Sequence, residues 1–246
     1  MQKLLLTLMF DGTRYHGWQV QKNALAIQQV VQDALEAVLH TRPDLSGCSR
    51  TDAGVHANMY CCHLCADIDP YRLVPALNAH LPHDIAVQDA RVVPEDFHAR
   101  YSAFGKEYLY KIWNAHPRNP FLEGYALHYR RPLDLPLLKE QAAYFLGKHD
   151  FTSFCSVKCD VEDTVRTVRR LTLEQDGALV TVAIEADGFL YNMVRIIVGT
   201  LLFINEGRIA PGEIPAIFDA RDRNRAGKTA PAHGLYLNHI YYGEAR

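Results

Sequence analysis

The spacing of apolar residues in the first half of the chain predicts alternating strands and helices. Between Ile27 and Leu39 apolar side chains recur at intervals of three and four residues, the stripe of an amphipathic helix, and Pro43 follows it. Shorter apolar runs bounded by polar turns predict strands. The predicted order is β-α-β-α-β: a strand at 3–10, the helix at Ile27–Leu39, a strand at 59–66, a helix at Tyr71–Leu81 and a strand at Ile85–Val93.

The second half of the chain shows a similar alternation. Tyr108, Tyr110 and Ile112 occupy alternate positions of one predicted strand, and Asp176-Gly177 is typical of a hairpin turn between two others. The predicted elements are a strand at Lys106–Trp113, a helix at Leu137–Leu146 capped by Gly147, strands at Thr164–Glu174 and Leu179–Ala186, a nearly all-apolar helix at Phe189–Ile204 and a strand at Leu235–Tyr242.

These elements predict an α+β protein with two comparable α/β halves. The halves meet near residues 98–106, which gives an N-terminal half at 1–103 and a C-terminal half at 104–246. No repeat relates the two halves in sequence.

The composition is that of a folded protein that is not exported. Of 246 residues, 48% are hydrophobic and 22% are charged, so disorder is not expected. The N-terminal apolar run is too short for a signal peptide. The longest apolar segment, Gly188 to Ile204, contains Asn192 and Arg195 and is shorter than the roughly 20 residues that cross a bilayer. We therefore expect a soluble, cytoplasmic protein without a membrane anchor.

The net charge of −2 does not by itself indicate a nucleic-acid partner. Residues 1–100 carry 8 basic against 11 acidic side chains, and residues 101–246 carry 18 against 17. A basic binding surface would therefore have to be local. Its candidates, each of which is equally well a solvated surface charge, are Arg14, Lys22, Arg100, Lys106 and Arg223.

Six cysteines raise the question of a metal site. Cys61-Cys62-His63-x-Cys65 resembles a soft-metal cluster, but no second CxxC or HxxxH element accompanies it. Buried thiols on a strand explain the same pattern, and in an unexported chain all six, including Cys159, are expected to be reduced. We predict no metal and no cofactor.

The segment from Cys48 to Ala57 is the first candidate for chemistry. It places Arg50, Asp52 and His56 in a loop of small residues, where a carboxylate can approach a ligand closely. The alternative is that Asp52 only caps a turn while Arg50 pairs with it at the surface.

Two further residues stand out in the second half. Arg195 is the one charged residue of an otherwise apolar predicted helix. A buried guanidinium requires a carboxylate or phosphate partner, and Asp52 is an attractive candidate for that partner. The alternative is an arginine that extends to the surface. Tyr108 lies on a strand, where its ring either stacks on a base or fills the core.

Aromatic and amide side chains also cluster between Tyr15 and Gln21, including Trp18. Such a run suits contacts to splayed nucleotides or, equally well, a packed turn. The sequence has no GxxxxGK[ST], GxGxxG, HExxH or GxSxG motif, so nucleotide hydrolysis, dinucleotide chemistry and zinc proteolysis are unsupported.

The order of these motifs resembles the TruA family of tRNA pseudouridine synthases along nearly the whole chain. The matching segments are Phe10-Asp11-Gly12 with Gly17-Trp18-Gln19, Arg50-Thr51-Asp52-Ala53-Gly54-Val55-His56-Ala57, Phe97-His98-Ala99-Arg100, the strand Lys106–Tyr110, His149–Phe154, Gly188–Arg195 and Lys228-Thr229-Ala230-Pro231.

The resemblance implies a role for four residues. Asp52 matches the catalytic aspartate, Tyr108 a tyrosine that contacts substrate, Arg195 an arginine that pairs with the catalytic carboxylate, and Arg50 an arginine associated with base flipping. It further implies antiparallel sheets flanked by helices around a central cleft, a homodimer that grips tRNA, no cofactor, and modification of uridines 38, 39 and 40 of the anticodon stem-loop.

The chain departs from the family pattern beside the catalytic loop. Ser49 stands where the family usually has Gly, and Asn58–Cys62 replaces a common Gly-Gln-Val run. These departures bear on which uridines are chosen. They leave the chemistry intact, so one alternative is a paralogue acting on different uridines. A rival from another class is a catalytically silent tRNA-binding module.

Overall fold

The computed structural model describes residues 1–156 and 163–243, so the predicted thiol Cys159 lies outside the described residues. The described elements are, in chain order, β1 (Gln2–Phe10), α1 (Ile27–Leu39), β2 (Ser46–Gly47), β3 (His56–Ala66), α2 (Pro70–His80), β4 (Ile85–Val92), β5 (Ala103–Trp113), β6 (Leu127–His128), α3 (Leu135–Ala142), β7 (Gly147–Asp150), β8 (Val165–Asp176), β9 (Leu179–Ala186), α4 (Met193–Asn205), α5 (Ile214–Ala220) and β10 (Leu235–Tyr242). The predicted α+β class is confirmed.

The chain divides into two compact units, residues 1–104 with 236–246 and residues 105–235. The sequence-based division at 103 and 104 left β10 with the C-terminal half. In the structure Tyr236 and Leu237 pair in parallel with His56 and Ala57 of β3, so the last strand belongs to the first unit.

Within the first unit the strands lie in the order β4-β1-β3-β10, and β2 pairs with β3. β1 runs antiparallel to both β3 and β4. The predicted helix α1 has its predicted bounds, and its apolar stripe is buried through Ile27, Val31, Ala34 and Leu35. Asp69 caps α2 by accepting a hydrogen bond from the backbone of Tyr71 at 2.9 Å.

Within the second unit the strands lie in the order β5-β9-β8-β7 with antiparallel neighbours, and β6 pairs in parallel with β5. The predicted hairpin is confirmed: Asp176 faces Leu179, and Gly177 has φ +57°. Gly147 was predicted to cap a helix ending at Leu146, which is wrong. The helix ends at Ala142 and continues as a 3-10 turn, and Gly147 opens β7.

Helix α4 is buried nearly all round, as predicted, but it starts at Met193 instead of Phe189. Asn192 adopts φ +63°, a left-handed backbone conformation that does not fit inside a right-handed helix, so the helix cannot extend back through it to Phe189. The seven-residue α5 was not predicted, because so short an element shows little periodicity. Among the described residues no helix has both the length and the apolarity needed to cross a bilayer.

Candidate active site

In the first unit, Asp52 opens a tight turn in the loop between β2 and β3. Its carbonyl accepts a hydrogen bond from Val55 at 3.2 Å, and Gly54 has φ +78°, a conformation that favours glycine. The Asp52 side chain is half-buried and Arg50 is exposed. The loop therefore presents a carboxylate from a turn whose shape is fixed by the backbone.

A second segment, residues 12–18, holds this loop through backbone contacts. Trp18 donates its N–H to the Thr51 carbonyl at 3.3 Å, and Gly54 donates to the Tyr15 carbonyl at 3.2 Å. A Cβ on Gly17 would lie 2.1 Å from the Thr51 oxygen, so only glycine permits this approach. Asp52 is thus flanked on both sides by residues bonded to the 12–18 segment.

The 12–18 segment is anchored in turn to the core of the first unit. The carbonyls of Gly17 and Trp18 accept hydrogen bonds from the first two residues of α1, at 3.1 and 3.0 Å, which satisfies N–H groups that the helix leaves open. The Trp18 ring stacks on Tyr60 at 4.1 Å, and the Tyr60 hydroxyl donates to the Ser49 carbonyl. The loop that carries Asp52 is therefore tied to the core through the 12–18 segment and through the Ser49 carbonyl.

The aromatic cluster between Tyr15 and Gln21 is a packed turn in part. Tyr15 and Trp18 are only 3% and 2% exposed, so these two rings are part of the core of the first unit. The Tyr15 hydroxyl donates to Asp84 at 2.7 Å, and burial, with this carboxylate beside it, raises the pKa of Tyr15 to about 12. Arg14 pairs with the same Asp84 at 2.6 Å, but its side chain remains exposed.

In the second unit, Arg195 lies at the start of α4 and is half-buried. Its Nε donates to the Ala230 carbonyl at 2.7 Å, and one Nη donates to Oδ1 of Asn192 at 2.7 Å. The Ala230 N–H donates back to the Arg195 carbonyl at 3.0 Å. The predicted alternative of an arginine that merely extends to the surface does not describe this geometry.

The segment that supplies Ala230 packs against the backbone of α4. A Cβ on Gly199 would lie 1.7 Å from the Lys228 carbonyl oxygen, and one on Gly227 would lie 2.4 Å from the Gly199 oxygen. The buried Thr200 hydroxyl accepts from the Gly227 N–H at 2.9 Å and donates to the Ile196 carbonyl at 2.8 Å. These contacts fix the position of Ala230 along the axis of α4.

Tyr108 lies on β5 of the second unit and is 6% exposed. Its ring meets Phe189 edge-on, with the ring centroids 4.9 Å apart.

Of the basic candidates in this unit, Arg223 donates a hydrogen bond to Thr229 at 3.2 Å, and burial lowers the pKa of Arg223, so it too has a structural partner. The described residues therefore place Asp52 and Arg50 in one unit and Tyr108 and Arg195 in the other.

Strand β3 carries three cysteines, of which Cys61 and Cys62 are buried and Cys65 is exposed. Cys61 and Cys62 are fully buried, and burial raises the pKa of the Cys61 thiol to about 11. Across residues 1–156 and 163–243, no three His, Cys, Asp or Glu side chains form a group that could hold a metal ion.

Comparison with known proteins gives a consistent result. A family model described as tRNA pseudouridine synthase matches residues 7–102 and 141–243. The tRNA pseudouridine synthase A of Ruminiclostridium cellulolyticum is 43% identical over 98% of this chain and 100% of that protein. The protein of the same name from Acetivibrio thermocellus is 44% identical, and the tRNA pseudouridine synthase A 2 of Clostridium perfringens is 41% identical, each over 98% of this chain and 100% of the relative.

Proposed function

Because this chain belongs to the tRNA pseudouridine synthase family, whose members are isomerases acting on tRNA uridine, we propose that it converts uridines of the anticodon stem-loop, at positions 38, 39 and 40, with Asp52 as its catalytic residue. The observation that carries the proposal is the turn at Asp52, which backbone contacts from residues 12–18 hold in place. Preorganised charge is the main means by which enzymes stabilise developing charge.

In this proposal the uridine leaves the stack, since its reacting atoms are shielded inside it. Arg50, Tyr108 and Arg195 bind the extruded nucleotide. The Asp52 carboxylate then acts as nucleophile, or stabilises positive charge on the sugar, while the N1–C1′ bond breaks. The base rotates, the C5–C1′ bond forms, C5 loses its proton and N1 gains one. Atoms and electrons balance without a cofactor.

We further propose that the enzyme acts in the cytoplasm as a homodimer that grips one tRNA, as the family resemblance implies. Sedimentation of the protein with and without tRNA tests this part. A species with the mass of a monomer at micromolar concentration would contradict it, whatever the activity.

The decisive experiment incubates unmodified tRNA with wild-type protein, Asp52→Ala and Asp44→Ala, and then maps pseudouridine. Asp44 is an exposed aspartate before β2 and serves as the matched control. We expect product from wild type and Asp44→Ala, and none from Asp52→Ala. Product from Asp52→Ala at the wild-type rate would reject Asp52. Product outside the anticodon stem-loop would favour a paralogue with other target uridines, and tRNA binding without any product would favour a silent binding module.

A further inference from the structure

Asn192 has an unusual backbone for the residue that precedes a helix. Its φ of +63° and ψ of 8° lie in the left-handed region, which residues other than glycine rarely adopt and which asparagine tolerates best. An asparagine before a helix commonly caps it by accepting a backbone N–H, but the Asn192 side chain makes no such bond to α4. Its amide is directed elsewhere.

The amide of Asn192 joins two side chains of the second unit. Oδ1 accepts a hydrogen bond from Arg195 at 2.7 Å, and Nδ2 donates to the hydroxyl oxygen of Ser156 at 2.8 Å. A guanidinium can only donate, so the amide atom that faces Arg195 must be the oxygen. The serine then receives the amide N–H, and the orientation of the amide follows from the chemistry of its partners.

Ser156 is itself fixed to the same loop. Its backbone N–H donates to the Tyr191 carbonyl at 3.1 Å, directly before Asn192. The Ser156 hydroxyl, which accepts the hydrogen bond from the Asn192 amide, is therefore held in place by the backbone hydrogen bond of the same residue. Ser156, Asn192 and Arg195 form a chain of hydrogen bonds whose first member is anchored.

The guanidinium of Arg195 is thereby held at two different nitrogens. The Ala230 carbonyl binds Nε and the Asn192 amide binds one Nη, and two contacts on one rigid plane define its rotation. We infer that Asn192 is a positioning residue for Arg195: its amide, oriented by Ser156, sets the plane of the guanidinium. The inference rests on the proposed substrate-binding role of Arg195.

The test compares Asn192→Gly with Asn192→Asp. Glycine accepts φ +63° without strain and removes the side chain with its amide, whereas aspartate keeps an acceptor oxygen and also tolerates this backbone. We expect a melting temperature close to wild type for both variants. For Asn192→Gly, kcat should fall about tenfold to 100-fold, with a smaller change in KM, because a displaced group near the reacting centre loses rate steeply. Asn192→Asp should recover most of kcat, and Ser156→Ala should lie between the two.

Asn23→Gly, at an exposed asparagine in a turn of the first unit, is the matched control and should remain at the wild-type rate. A wild-type rate for Asn192→Gly would overturn the inference and leave only a backbone role for Asn192. Equal loss in Asn192→Asp and Asn192→Gly would also overturn it.

A second readout does not depend on activity. The Nε–H resonance of Arg195, assigned by its loss in Arg195→Lys, should shift and exchange faster with solvent in Asn192→Gly than in wild type. An unchanged resonance would refute the positioning role even in an active enzyme. Failure of the proposed function is distinct, because it would show as wild-type protein that forms no pseudouridine while the resonance still responds.

Discussion

The loop that carries Asp52 in the first unit and the start of α4 that carries Arg195 in the second hold a charged side chain by different means. The loop is fixed by backbone hydrogen bonds with Tyr15, which accepts, and Trp18, which donates, and by a glycine that lets two chain segments touch. Arg195 is fixed through its own side chain, by the Asn192 amide and the Ala230 carbonyl.

This difference indicates which substitutions should disrupt each region. Backbone contacts survive most side-chain exchanges but do not tolerate an added Cβ at the point of contact. Side-chain contacts are lost when one polar atom is removed, and a buried group left without its partner is costly. We expect the Asp52 loop to fail at Gly17. The second region should fail at its amides and hydroxyls as well as at Gly199 and Gly227, which also touch a neighbouring chain segment.

The largest effect is expected from Gly17→Ala. The added methyl would lie 2.1 Å from the Thr51 oxygen at φ +81°, so the Asp52 loop must move. A shift of about 1 Å can lower the rate about 100-fold, and pseudouridine formation at saturating tRNA measures it. Gly212→Ala, at φ +85° with nothing within 4 Å, applies the same backbone penalty without the contact and should keep wild-type activity. Equal losses in both variants would show that strain, and not the contact, is responsible.

The next effect is expected from Thr200→Val in the second unit. The substitution keeps the shape but removes a fully buried hydroxyl that bonds both Gly227 and Ile196. Leaving the Gly227 N–H unsatisfied should destabilise the protein by about 1–3 kcal/mol, measured by urea unfolding. Because Gly227 leads into the segment that supplies the Ala230 carbonyl, kcat should fall as well. Unchanged stability would contradict the role of this hydroxyl.

A smaller, pH-dependent effect is expected from His63 in β3, which pairs with Ser46 of β2 at the entrance to the Asp52 loop. Burial, with His98 and Lys3 nearby, lowers the pKa of His63 to about 4 from 6.5, and its Nδ1 accepts a hydrogen bond from Ala99 at 3.1 Å. The unfolded chain therefore takes up the proton first. The stability that His63 contributes is complete above about pH 6.5 and is lost as pH falls toward 4.

Urea unfolding of wild type and His63→Gln between pH 7 and 4 measures this contribution. The variant, which can still accept the Ala99 N–H, should lose less stability on acidification. Parallel pH profiles for the two proteins would exclude His63 as the cause.

The smallest effect is expected from Thr51→Val, the counterpart of Thr200→Val in the first unit. The Thr51 hydroxyl is buried and, among the described residues, has no hydrogen-bond partner, so its removal leaves nothing unsatisfied. We expect a stability equal to wild type or higher by up to about 1 kcal/mol, from the same urea measurement. A loss as large as that of Thr200→Val would show that the two threonines do not differ in this way.

Periodicity predicted most of the elements, and it failed where a single residue or a short segment decided the outcome. The α1 helix has its predicted bounds because its apolar stripe faces the core of its own unit. The helix predicted from Phe189 begins four residues later, because one left-handed asparagine interrupts it. The buried Tyr15 and Trp18 could equally have lain at the surface, since an aromatic run fits both a core and a nucleotide-binding surface.

The sequence by itself determined the α+β class, the type and order of the long elements and, through the ordered motifs around Asp52, the family. It did not determine that β10 pairs with β3, that Gly17 touches Thr51, or that Asn192 binds Arg195. The physical reason is that the sequence pattern reports only short-range interactions. Hydrophobic periodicity reports the surroundings of one helix or strand, whereas each of these contacts depends on the final packing or on a backbone conformation that the neighbouring residues impose.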